Sequence, residues 1–169
     1  MTIDEKIKIA QDLFGAWRDE IWADARVRGL LEVLEEKLAA SRKMNVDLGV
    51  FAVCKHCEEA DGGSCCGAGI ENRYSPHLLL LNLLLGRDLP AGRSIANSCY
   101  FLGKDGCGLL ARHILCVNYL CTSIQKWLSR EDLIDLQTLT GEEMETMFRL
   151  HEAVKQLINC RRHVHRPSD

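Results

Sequence analysis

Eight of the nine cysteines fall between Cys54 and Cys121, and they are the residues most able to do chemistry. They read Cys54-x2-Cys57, then the adjacent pair Cys65-Cys66, then Cys99-x7-Cys107-x8-Cys116-x4-Cys121. Thiolates bind zinc and iron–sulfur clusters, and a C-x2-C turn aims two of them at one metal. Gly62, Gly63, Gly67 and Gly69 near the pair, and Gly103, Gly106 and Gly108 near Cys107, permit tightly wrapped loops. Neighbouring Cα atoms lie about 3.8 Å apart, below the usual disulfide separation, so Cys65 and Cys66 do not readily pair with each other. The rival reading is disulfides to other partners. The opening residues, MTIDEKIKIAQDLF, contain no uninterrupted apolar run of a secretory leader, so the chain is expected in the cytoplasm, where thiols stay reduced. Metal ligation is therefore the expectation for Cys54, Cys57, Cys65, Cys66, Cys99, Cys107, Cys116 and Cys121. Eight thiolates suffice for two four-cysteine zinc sites, or for one four-cysteine cluster with thiols to spare. Zinc ribbons use two C-x2-C knuckles and this chain has one; its irregular spacing leans toward an iron–sulfur cluster over zinc.

The pattern resembles the YkgJ family of cysteine-cluster proteins, described as a zinc- or iron-chelating domain. The residues that carry the resemblance are Cys54-Lys-His-Cys57 leading to Cys65-Cys66, Cys99-Tyr-Phe-Leu102, Gly106-Cys107-Gly-Leu109, and Arg112-His113-Ile-Leu-Cys116-Val-Asn-Tyr119-Leu-Cys121. It covers about 70 residues and leaves the flanks outside. The resemblance implies that these cysteines chelate metal. Similar proteins also occur fused to protein-lysine methylating enzymes, which implies protein modification as an alternative class. Two departures stand out. The spacing between Cys57 and Cys65 is longer than the family's, and His113 replaces a family proline after Arg112. The first makes Cys54 and Cys57 a semi-independent arm. The second adds a nitrogen that could ligate or act as a base. On this reading Cys107, Cys116 and Cys121, with Cys65 or Cys66, supply the tightest site.

These residues must be positioned by their surroundings, which divide into three stretches of what is read as one compact, mainly α domain. Residues 1–48 form a helical segment: Thr2 and Glu5 make a capping-box pattern, and Ile3, Ile7, Ala10, Phe14, Trp17 and Ile21 recur at helical spacing, followed by Val27, Leu31, Leu34 and Leu38. One bent helix or two would satisfy this. Residues 49–122 are an irregular, glycine- and cysteine-rich metal-binding core, holding ten of the thirteen glycines, which cross-linking by metal would order. Within it Ser75, Pro76 and Gly86 punctuate one helix, LLLLNLLL, buried on most sides. Residues 123–169 are helical again. Ser129 with Asp132 and Thr140 with Glu143 resemble successive helix starts. Met144, Met147, Phe148, His151, Val154, Leu157 and Ile158 form a last apolar face, and the basic tail frays.

Composition excludes some classes. Lys+Arg total 21 against 24 Asp+Glu, so no basic field points to nucleic acid, and Leu78 to Leu85 is too short to span a bilayer. Adjacent acids such as Glu35 and Glu36 read as solvated helix faces. No phosphate-binding loop, G-x-S-x-G or H-E-x-x-H motif occurs, so catalytic residues are not identified. The leading expectation is a cytoplasmic metal-binding protein. The alternatives are an iron–sulfur-dependent redox or protein-modifying enzyme, and a metal-stapled helical module. In the last, the N-terminal helices would dock a second copy or another protein.

Overall fold

The apolar spacing over residues 3–47 folds as two helices, α1 (Ile3–Ala23) and α2 (Ala25–Asp47). The capping box forms as expected: Thr2 Oγ1 accepts the Glu5 N–H at 3.2 Å, and the Glu5 carboxylate accepts the Thr2 N–H at 2.7 Å. Asp24 sets the break. Its extended backbone stops α1, and its carboxylate accepts the Val27 N–H at 2.9 Å to start α2. Ile3, Ile7, Ala10, Ile21, Val27, Leu31, Leu34 and Leu38 are all buried within this chain. The stripe that suggested a docking face therefore packs on its own core.

The computed structural model describes residues 1–60, 65–104 and 106–164, with the side chains at 55, 57–60 and 162–164 outside the described residues. The end of the basic tail, from 165, also lies outside them. No helix among the described residues is long and apolar enough to cross a membrane.

α2 ends at Asp47 with Leu48 as its C-cap, and Gly49, at φ +70°, turns the chain into α3 (Val50–Ala60). The Trp127 indole N–H donates to the Leu48 carbonyl at 2.9 Å and seals this corner. Cys54 and Cys57 thus stand on a helix, where a turn was expected from C-x2-C. Residues 50–60 contain no glycine or proline to interrupt helical hydrogen bonding. α4 (Pro76–Leu84) follows its sequence signals closely. Ser75 Oγ accepts the Leu78 N–H at 3.1 Å, Pro76 occupies the first turn, and Gly86 closes at φ +72°.

After a short hairpin, β1 (Leu102–Gly103) with β2 (Gly106–Cys107), come α5 (Ile114–Asn118), α6 (Thr122–Trp127) and α7 (Arg130–Val164). α7 is one continuous helix where two starts were expected. Ser129 does cap it, accepting the Asp132 N–H at 3.1 Å. Thr140 instead lies mid-helix, its hydroxyl donating back to the Leu136 carbonyl at 2.9 Å. The buried face is also rotated from the expected one: Leu136, Met147, Leu150, Val154 and Ile158 are buried, whereas Phe148 is 66% exposed. Polar Thr140, Glu143 and Thr146 occupy buried positions on that face, which hid it from an apolar-spacing argument.

α2 packs along α7, and α1 packs on α4. Their core is shared by the middle of the chain: Tyr74, Leu89, Tyr100, Phe101, Leu102, Leu109 and Ala111 are buried with Leu79, Leu80 and Leu81. Residues 74–111 therefore have ordinary apolar packing, beyond what their glycine content suggested. A smaller cluster of Val50, Ile124, Leu128 and Leu136 joins α3, α6 and the start of α7.

Candidate metal centre

Backbone pairing brings three stretches of chain together, and α5 supplies a fourth. The Cys99 N–H donates to the Cys66 carbonyl at 2.6 Å, the Ala68 N–H donates to Asn97 at 3.2 Å, and Gly67 forms an antiparallel bridge with Ser98. Cys66 and Cys99 are consequently held side by side. The hairpin then returns the chain: Leu102 faces Cys107 across it, and the Gly108 N–H donates to the Phe101 carbonyl at 2.9 Å. α5 delivers Cys116, with His113 as its N-cap; the His113 Nδ1 accepts the Leu115 N–H at 3.2 Å.

Outside the cysteines, three sets of side chains fasten this arrangement. Asn82 of α4, 0% exposed, accepts the Leu110 and Ala111 N–H groups at 2.9 and 3.0 Å through Oδ1. Its Nδ2 donates to the carbonyls of Ala111 at 2.9 Å and Leu78 at 3.1 Å, so every polar position of the amide is used. Tyr74, 2% exposed, packs its ring 5.0 Å from Phe101 and 5.9 Å from His113. Its hydroxyl accepts the His113 N–H at 3.0 Å and donates toward Cys116 Sγ at 3.9 Å. Glu71 is buried between the Gly69 N–H and the Arg93 guanidinium. Burial alone would raise its pKa, but its own and the Gly69 backbone N–H groups, with Arg93, hold it below the usual range. That salt bridge ties the loop after Cys66 to the one before Cys99.

The electrostatics identify which thiols feel one another. Cys66 is pushed up strongly, first by its hydrogen bond with Cys65, then by burial, then by the charges of Cys65, Cys116 and Cys107. Burial lifts Cys99 to about 11, with Cys107 and Cys116 adding to it. Cys107 is raised by burial and opposed by the Leu109 N–H, Arg112 and Arg42. Cys116 is raised by burial and by Cys107 and Cys65, against the Tyr74 hydrogen bond and Arg112. Cys65, Cys66, Cys99, Cys107 and Cys116 thus form one neighbourhood of thiols that cannot all ionise without a nearby cation. Arg112 supplies one such charge.

The remaining sequence candidates lie elsewhere. Cys54 and Cys121 pack at the edge of the smaller cluster, Cys121 being the N-cap residue of α6. Cys121 therefore packs against the same cluster as Cys54, although the sequence grouped it with Cys107 and Cys116. The Cys57 side chain lies outside the described residues. Cys160 is exposed near Arg161 at the end of α7. His56 is exposed, and His77 meets His151 edge-on at 5.9 Å. His113 keeps Nε2 as its remaining nitrogen, with its pKa lowered by burial and by Arg73.

The donor chemistry suits a thiophilic metal. Among the described residues, no three His, Cys, Asp or Glu side chains stand close enough together to hold one ion. Sequence reasoning missed Tyr74, Asn82, Glu71 and Arg93 as supports. The one signal available was a lone asparagine in a leucine helix. Comparison with protein-family models, curated proteins and solved structures finds no match, so the family resemblance rests on the cysteine pattern alone.

Proposed function

We propose that this chain is a thiolate metal-binding protein of the YkgJ-like type that holds an iron–sulfur cluster or zinc. The ligands come from Cys65, Cys66, Cys99, Cys107 and Cys116, and Cys54, Cys57 and Cys121 form a second arm. The observation that carries this reading is that the Cys66–Cys99 backbone bond, the hairpin and α5 draw thiols from distant stretches of chain into one neighbourhood. The charges of neighbouring thiols disfavour ionisation of Cys66, Cys99 and Cys116, and a bound cation removes that conflict. Irregular spacing favours the cluster over zinc. A cluster supplies electron transfer and zinc a structural cross-link; the chain's part is to orient the sulfurs, exclude water and balance their charge through Arg112. The role in the cell is to hold metal, for storage, delivery or sensing.

Metal analysis of anaerobically purified protein tests this. Brown protein with iron and sulfide in stoichiometric amounts is expected. Colourless protein with tightly held zinc keeps the metal-binding reading and changes the cofactor. Protein that binds neither, with these thiols open to alkylation, overturns it.

A further inference from the structure

The geometry points to Tyr74 as the residue that positions Cys116 and tunes its sulfur, an inference that rests on Cys116 being a ligand. A phenol has one O–H to donate, and it is directed to Cys116 Sγ, at 3.9 Å. The oxygen's acceptor side is taken by the His113 N–H at 3.0 Å, which fixes the direction of that single donor. The ring is clamped in the core between Phe101 and His113, so the hydroxyl has little freedom to turn elsewhere. Tyr74 lies just after the Cys65–Cys66 loop and just before α4, whereas Cys116 is 42 residues away in sequence. A core tyrosine with no polar task would be equally served by phenylalanine. Here the hydroxyl is buried and both of its bonds end on the segment that presents Cys116. Hydrogen bonds to coordinating sulfurs shift the electronics of a metal–thiolate site and steady its ligands, and losing such a support typically weakens metal binding about 10–100-fold.

The test compares Tyr74→Phe with wild type in protein purified with its metal. Tyr74→Phe removes both bonds of the hydroxyl and keeps the ring. Tyr74→Phe should keep its fold and metal stoichiometry, release metal to a chelator about tenfold faster or more, and shift its sulfur-to-metal absorption. Equal release rates and spectra in Tyr74→Phe and wild type would overturn the inference. So would faster release with unchanged absorption, because the tyrosine would then act only by holding the start of α5. If the wild type holds no metal, the metal-binding reading fails by itself. Alkylation of Cys116, mapped by peptide mass at fixed pH against Cys160 as reference, then decides for Tyr74. Several-fold slower labelling in Tyr74→Phe supports it, and unchanged labelling ends it.

Discussion

At the scale of single residues, the cysteines are not equivalent. Cys116 sits among Cys107, Cys65 and Cys66, and Cys54 packs against the second cluster with Val50 and Ile124. Cys116→Ser should therefore abolish metal binding, while Cys54→Ser should keep at least part of it. Equal loss of metal in the two variants, measured by elemental analysis, would show one inseparable site. Asn82 matters for a different reason. Its amide satisfies two N–H groups and a carbonyl in the loop joining Cys107 to α5, and it is fully buried. Asn82→Ala should cost about 3 kcal/mol, combining unsatisfied backbone with a small cavity. Urea denaturation measures that directly, and a loss below about 1 kcal/mol would mean the loop is anchored elsewhere.

At the scale of elements, α5 is short and depends on its cap. His113 caps it as the neutral ring, and burial together with Arg73 lowers its pKa from the ordinary 6.5. Because the folded value is depressed, this residue's contribution is fully present above pH 6.5 and is lost as pH falls through the folded value. Stability should decline from neutral pH toward pH 5, and His113→Asn, which caps without titrating, should flatten that slope. Thermal melts across the range provide the check; an unchanged slope would remove His113 from the account. The contact of α2 with α7 carries the opposite sign. Glu143 is 1% exposed, its Oε1 has no hydrogen-bond partner among the described residues, and Ser41 beside it is equally buried. Burial raises its pKa, opposed by Ser41 and Arg112. The acid is thus easiest to hold below its ordinary 4.5, and its contribution falls as pH rises through the folded value. Glu143→Gln should be more stable than wild type at pH 7 by about 1 kcal/mol and no more stable near pH 4. Destabilisation at pH 7 would instead show that the carboxylate is needed, through Arg112.

At the scale of the whole molecule, metal loss should be felt locally. Composition suggested that residues 50–122 would unfold together on chelation, yet Tyr74, Leu79, Leu80, Phe101 and Leu109 belong to the core shared with α1, α2 and α7. Chelator should raise amide exchange at residues 65–69, 97–99 and 106–118 while α2, α4 and the buried stretch of α7 keep their protection. A uniform loss across the chain would mean that the metal holds the core and not merely the loops.

What the sequence determined by itself was the part of the structure governed by local rules. Thr2, Ser75, Pro76, Gly86 and Ser129 mark helix ends through hydrogen bonds spanning a few residues, and the stripes of the first two helices follow from 3.6-residue periodicity. Cysteine chemistry was legible too, because residue type and order survive without knowledge of the fold. Tertiary structure alone decided which cysteines meet. Cys66 and Cys99 come together through a backbone bond, and Cys121 parts from Cys116 because α6 turns toward α3. It also decided what Tyr74, Asn82 and Glu143 do. Their partners lie 39, 29 and more than 30 residues away in sequence, so nothing local announces whether such a group is orphaned, anchored or aimed at a sulfur.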